Sequence, residues 1–396
     1  MEYFFSRTLG QESSQENIRQ TLEQKRFPHA LLVHGEPGLG QHALLLDLAQ
    51  ILVCDSDRGK IPCQTCRSCL AFKAKSLETI HYLMPLVKKM KEDEDGEKET
   101  ETELEDAQID ELIDHIKNWH EHPYGCARPE KALVRVGQIR ELLARLSFVE
   151  GKNRARVVLV PYLEALHPAA ANALLKTLEE PPAGTYFLIA SEHRGALLPT
   201  LLSRCLHLGL APLSMVDFRK AAEEISRSAQ KPLSRRLFPF SEGSPGIYWE
   251  LLEGGEALLE EAGLFLSAAT AGDWRVFSEY VEGPVSESLK GDVRLLHFLM
   301  SCLRVHLSWR AKYPASLLGR EDAYRWTSKA LEAEGWDSDL TGYLGPLEDL
   351  ADPHVFVSFL ESSYNAIKKY SKPQVSLLGF FLEYESKAAR FTVTVD

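Results

Sequence analysis

Two groups of residues in this chain have the types and spacing to do chemistry. The first lies in HGEPGLGQHALL, residues 34–45. Gly35 and Gly40 are separated by four residues, Gly38 among them, which is the spacing of a loop whose backbone N–H groups cradle phosphates. In a working loop the next two residues are a lysine that reaches the β- and γ-phosphates and a Ser or Thr whose hydroxyl holds magnesium. Here they are Gln41 and His42. The residues that shape the loop are kept, and the two that act on nucleotide are missing. The second group is Cys54, Cys63, Cys66 and Cys69, with eight, two and two residues between them. Four thiolates surround a zinc ion tetrahedrally, and a C-x2-C pair places two sulfurs on one turn around the metal. CQTCRSC crowds three of the four into seven residues, which leaves little room for independent disulfides. The spacing predicts one structural zinc, set against incidental buried thiols or a redox pair. Cys126, Cys205 and Cys302 have no such neighbours and read as ordinary thiols.

Periodicity and breaker residues predict the elements that must position these groups. A helix is expected near Ser14–Lys25, with Ile18 and Leu22 four apart and Ser13 or Ser14 as its cap. HALLV reads as a short buried strand entering the glycine loop, and ALLLDLAQIL as an apolar helix leaving it. Strand, loop, helix is the context that a phosphate loop requires. RVVLV (156–160) and TYFLIAS (185–191) read as further buried strands. VGQIRELLARLSF and HPAAANALLKTLEEPP read as helices, the second stopped by Pro181 and Pro182. LLPTLLSRC (197–205) then leads into LHLGL. Short apolar strands alternating with helices imply a parallel sheet with helices on both faces. Beyond Pro212 the strand pattern ends. Residues 213–260 read as a small helical unit with a break at EGSPG (242–246), and residues 261–390 as helical, with apolar seams in LLHFLMSCLRVHL and FVSFLESSYNAI.

The formal net charge is −12, and its location matters more than its size. Between Glu92 and Asp114 lie thirteen acidic residues and one lysine, Lys98, so the rest of the chain sums to about zero. The acidity therefore does not exclude nucleic-acid work by the remainder. Residues 91–114 hold few apolar side chains before Leu104 and read mostly as a solvated or disordered loop, with a short helix around DELIDHIKNW after it. No apolar run approaches the roughly 18 residues of a membrane span, and the start, MEYFFSRTLGQESS, lacks the pattern of a signal peptide. A cytoplasmic location is the expectation, one in which thiols serve as metal ligands more readily than as disulfides.

The stretches FPHALLVHGEPGLG and ANALLKTLEEPPAGTYFLIAS, followed by LLSRC, resemble the clamp-loader family of AAA+ proteins. The resemblance covers residues 10–210 apart from the acidic insert, continues more weakly through EGSPG, and returns in ESSYNAIKKYSKPQVSLLGFF. It implies an α/β AAA+ P-loop-type domain over 1–211, with a zinc module at about 54–69 and an acidic insert at about 91–130. A helical lid domain over 212–260 and an all-α collar domain over 261–396 would follow. It also implies that Arg204, within Ser203–Arg204–Cys205, reaches into a neighbouring subunit's ATP site; the plainer reading is a surface arginine or a local ion pair. Against the family pattern, Pro161 and Tyr162 stand where an Asp-Glu pair would hold magnesium and orient water. Glu164, three residues on, would point elsewhere. Gly246 stands where active relatives carry a nucleotide-touching arginine, and Leu77, Glu78 and Thr79 replace His-Pro-Asp.

Gln41, His42, Pro161, Tyr162 and Gly246 are five departures at one chemical centre, the mark of an abandoned hydrolytic site. The implied role is a non-hydrolysing subunit, ATP not being hydrolysed by this chain. Its partners would be ATPase subunits of the gamma/tau type and a delta subunit, with the sliding clamp and primed DNA reached through the complex. Two other readings are an active ATPase with unusual ligands and a zinc-dependent nucleic-acid regulator. The latter would draw on Lys60, Arg67, Lys73 and Lys75 beside the cysteines.

Overall fold

The computed structural model describes residues 5–56, 62–75, 80–87, 106–125, 132–147, 155–192, 197–270 and 274–282, with scattered positions between 298 and 381. The chain divides into two compact units, Met1–Leu213 and Ser214–Asp396.

The first unit is a five-stranded parallel sheet in the order β2-β3-β4-β1-β5. Its strands are β1 (Ala30–His34), β2 (Ile80–Tyr82), β3 (Arg156–Val160), β4 (Thr185–Ser191) and β5 (Leu206–Gly209). The helices are α1 (Glu12–Glu23), α2 (Gln41–Val53), α3 (Arg67–Lys73), α4 (Asp106–Glu121), α5 (Val136–Ser147), α6 (Pro168–Glu179) and the single turn α7 (Pro199–Leu202). Alternate strand residues face opposite layers, as the pleat demands. Leu31, Val33, Val157, Leu159, Leu188 and Ala190 pack with α1, α2 and α4 on one face. Ala30, Leu32, Val158, Val160, Phe187 and Ile189 pack with α5 and α6 on the other. Because both faces are covered, the strands are continuous apolar runs, which is why they could be read from the sequence. α2 is buried at every position, and its buried Asp47 is matched by the backbone N–H groups of Arg7 and Thr8 at 3.0 and 2.9 Å.

Two expectations need correction, and one element was not foreseen. The first helix begins at Glu12, so Ser13 and Ser14 are inside it; its cap is Gln11, at φ 63° and without a side-chain capping bond. The Gln11 side chain is instead drawn to the carbonyls of Ala211 (2.7 Å) and Leu39 (3.3 Å), a tertiary demand that overrides local capping preference. The helix expected around DELIDHIKNW is present as α4 but starts earlier, at Asp106, and Ile116 and Trp119 give it a buried face. The earlier part of the acidic stretch, residues 88–105, lies outside the described residues. β2, only three residues long, had no periodic signal to announce it.

The second unit is helical where described: α8 (Met215–Ser228), a 3-10 segment (Arg235–Ser241), α9 (Pro245–Thr270) and α10 (Trp274–Glu282). The EGSPG break falls at Glu242 and Gly243, both with positive φ, immediately before α9. α9 runs without interruption through residue 260. Phe218, Phe238 and Tyr248 meet edge to face at 5.2–5.7 Å and anchor this unit's core. The tail FTVTV lies outside the described residues. No helix among the described residues is long and apolar enough to cross a membrane.

Candidate functional site

The glycine loop leaves the C-terminal end of β1, where open parallel sheets bind ligands, and feeds the N-terminus of α2. Gly40 caps α2 at φ 103°, a conformation that disfavours any side chain. A Cβ on Gly35 would lie 2.9 Å from the Leu210 carbonyl oxygen, so β5 leaves no room for one. Gly38 lies within the loop between them. The loop thus has the shape of a phosphate cradle, and the two side chains that follow it are bonded within the chain. Gln41 is buried and donates from Nε2 to the Glu36 carbonyl at 2.7 Å, tying the loop to itself. His42 is buried, with Nε2 at 3.0 Å from the Pro161 carbonyl oxygen. That oxygen can only accept, so Nε2 carries the proton. The imidazole packs edge-on against Tyr162 at 4.7 Å and Trp119 at 5.9 Å. Burial pushes the His42 pKa down, so the ring is neutral. The charge of Glu164 acts on His42 in the opposite direction to burial.

Sequence reasoning missed Tyr124. Its hydroxyl accepts the Leu9 N–H at 2.7 Å and lies 3.0 Å from where a Cβ on Gly40 would be. It therefore closes the loop from above while holding the N-terminal segment. No local pattern marks it, because it is brought in by the turn after α4, far along the chain. Gly246 is the second residue of α9, in the other unit.

The four cysteines converge. Cys54 follows the last residue of α2, Cys66 caps α3, and Cys69 lies in its first turn. All four sulfurs lie within 4.8 Å of one another, with Cys54 to Cys63 at 3.6 Å and Cys63 to Cys69 at 4.0 Å. A tetrahedral zinc with bonds of about 2.3 Å demands sulfur–sulfur separations of about 3.8 Å, so the donor set fits the metal. The separations are far too long for disulfides. Backbone N–H groups of Cys63, Cys66 and Cys69 point at the sulfurs of Cys54, Cys63 and Cys66 at 3.3–3.4 Å, the donors that stabilise thiolates. The Thr65 and Cys66 N–H groups hold the Cys63 thiol down at about 5. Ser68 Oγ bonds the Asp55 carboxylate at 3.1 Å, and Gln50 reaches Gln64 at 3.1 Å, so the module is fastened to α2. Arg7 sits over the Phe72 ring at 5.3 Å and bonds Gln50 and Asp47. Lys75 is paired with Glu121, which withdraws one cation from the basic patch considered above. Burial raises the Cys205 thiol to about 11, leaving it unreactive. Cys302 is buried in the second unit, and Cys126, Lys60 and residues 77–79 lie outside the described residues.

Arg204 lies between α7 and β5, just past the turn closed by the Ser203 N–H on the Pro199 carbonyl. Its guanidinium pairs with Glu179 at the end of α6 and donates from Nη1 to the Thr200 carbonyl at 2.6 Å. The local ion pair is therefore formed, while the side chain keeps 28% exposure. Ser203 Oγ turns inward to the Thr200 carbonyl at 3.1 Å and also faces Arg204 Nη1 at 3.3 Å.

A parallel sheet, a glycine loop after its first strand and a helix opening from that loop define a P-loop-type α/β domain, with Gln41 and His42 where a working loop has lysine and a hydroxyl. Residues 10–214 match the family described as DNA polymerase III, delta subunit, and the chain belongs to that family. Its relatives identify it as a delta-prime-like clamp-loader subunit. It is 30% identical over 63% of its length to DNA polymerase III subunit delta' of Escherichia coli, covering 62% of that protein. It is 34% identical over 47% of its length to the Yersinia pestis protein of the same name, covering 42%. It is 27% identical over 56% of its length to DNA polymerase III subunit tau of Salmonella typhimurium, covering 27%. The matches thus span less than two thirds of these relatives' lengths.

Proposed function

We propose that this chain is a non-hydrolysing AAA+ subunit of a replicative clamp loader. It scaffolds gamma/tau-type ATPase subunits and a delta subunit, and it lends Arg204 in trans to a neighbour's ATP site while the complex loads a sliding clamp on primed DNA. The observation that carries this reading is the altered loop. Gln41 and His42, which replace the lysine and the hydroxyl, are buried in bonds to Glu36 and Pro161, and Tyr124 closes over Gly40. The loop offers no lysine for the β- and γ-phosphates and no hydroxyl for magnesium, and Pro161 and Tyr162 supply neither a metal ligand nor a base. A chain of this kind serves a neighbour, and an arginine beside β5 is the group it could offer. Cys54, Cys63, Cys66 and Cys69 hold one zinc, which fastens the module and supplies no catalysis. Residues 212–260 form the lid, residues 261–396 the collar through which subunits associate, and the setting is cytoplasmic.

The test has two arms. The purified chain alone should show no ATP turnover; a rate matching an active loader ATPase, abolished by Gly40→Asp, would overturn the reading. Mixed with the cognate ATPase, delta and clamp subunits, it should enter a complex of higher mass by native mass spectrometry. Exclusion from that complex would overturn it equally.

A further inference from the structure

We propose that Glu179 is a positioning residue for Arg204. The proposal rests on the trans role given to Arg204 above and assigns the group that orients it. One carboxylate oxygen, Oε1, accepts from Arg204 Nε at 2.7 Å and also from Nη2, so it grips one edge of the guanidinium. Nη1 is taken by the Thr200 carbonyl at 2.6 Å and by Ser203 Oγ at 3.3 Å. Of the five N–H groups, four are committed, and one on Nη2 has no acceptor among the described residues. The plane and direction of the fork are thereby set by three partners from two elements.

Glu179 is an unexpected residue for its place. It is the last residue of α6, and Glu180 follows it as the C-cap. Carboxylates at a helix C-terminus oppose the helix dipole, where a cation is favoured. The Arg204 guanidinium brings that cation from the next segment of chain. A side chain that breaks a local rule and is compensated by one specific partner is where a functional constraint is to be sought. Structural need alone does not account for it, since the pair is well exposed, at 28% and 48%, and exposed ion pairs add little stability. What a carboxylate oxygen shared by Nε and Nη2 does supply is geometry: it fixes an otherwise mobile long side chain in one rotamer, so that less freedom is lost when a phosphate is met. The same exposure lets the Nη1 contacts to Thr200 and Ser203 exchange for phosphate oxygens while the Nε edge stays held.

The experiment uses the full chain reconstituted with its ATPase, delta and clamp subunits and primed DNA, and measures kcat and KM for ATP hydrolysis. Glu179→Ala should lower the kcat of the site that Arg204 serves by roughly tenfold with KM unchanged, with native mass and zinc content as in the parent. Glu179→Gln, whose amide oxygen can still accept from the guanidinium, should keep most of the rate. In the Arg204→Ala background, Glu179→Ala should change nothing further, because the two act as one unit. An unchanged or raised kcat for Glu179→Ala, or additive losses in the double variant, would overturn the positioning role while leaving the trans role of Arg204 standing. Full activity of Arg204→Ala would overturn both. If Glu179→Ala does not assemble, Glu179→Lys, tolerable at an exposed site, decides instead: it must lose at least as much rate as the expected alanine loss.

Discussion

His42 Nε2 donates to the carbonyl oxygen of Pro161 at 3.0 Å, so the second residue of α2 is bonded to the residue that follows β3. The bond crosses from the start of α2 to the end of β3, and Tyr162 and Trp119 pack around it. Both residues of the bond are buried.

His42→Ala should therefore destabilise the first unit by about 2 kcal/mol, since it leaves the Pro161 carbonyl buried without its donor and opens space beside two aromatic rings. Denaturant unfolding of the intact chain measures it. A loss below the error of the method would show that His42 is accessory. Tyr124→Phe should cost about 1 kcal/mol by freeing the Leu9 N–H.

The same histidine makes the unit sensitive to acid. Its folded pKa lies below the ordinary histidine value, because burial disfavours the charged ring. The unfolded chain thus binds a proton that the folded chain refuses. Stability from this group is fully present above about pH 6.5 and is lost as pH falls below it. His120 adds to the effect, with its pKa pushed down to about 4, chiefly by burial. The thermal midpoint should drop between pH 7.5 and 5.5, and His42→Gln should flatten that slope. An identical slope in the variant would remove His42 from the account.

Not all of this was legible beforehand. The glycine loop was, because its shape depends on Gly40 itself, and the strands were, because two covered faces demand unbroken apolar runs. The cysteine cluster was legible because its ligands are close in sequence. The start of α1 was not, since Gln11 answers to Leu39 and Ala211 rather than to its own helix. Tyr124 was not, because only the folded turn after α4 brings it over Gly40. Glu179 could be read as a helix end and no more; its partner lies beyond β4.

Metal content offers a further check. Elemental analysis of protein purified without chelator should give one zinc per chain, and Cys66→Ser should lower both zinc content and melting temperature. Cys66 caps α3 by receiving the Cys69 N–H on its sulfur, and a serine oxygen can still cap the helix, so a lower melting temperature in Cys66→Ser would report the missing thiolate. Well under one zinc in the parent protein would refute the assignment.

Arg204→Ala should leave folding, zinc and assembly intact and lower DNA-stimulated hydrolysis at the neighbouring site by on the order of a hundredfold or more. Arg204→Lys should rescue little, since an ammonium cannot span the two edges that Glu179 and Thr200 now hold. Full clamp loading by the alanine variant would reduce this subunit to a scaffold.

The order of strands also sets a timetable for biosynthesis. β1 emerges early, yet its sheet neighbours are β4, where Ala30 lies beside Phe187, and β5, where Leu31 lies beside Leu206. At roughly 5–20 residues per second, the ribosome needs on the order of ten to thirty seconds after β1 to deliver them. Until then β1 and α2, which is buried along its whole length in the folded domain, have no sheet to join, and they are a natural load for a holding chaperone. The cysteine cluster has no such delay: its four ligands span only residues 54–69 and can close around a metal as soon as they leave the exit tunnel. A metal-pinned turn at the end of α2 would then be the earliest fixed point of the nascent domain, in place well before the sheet it will stand beside.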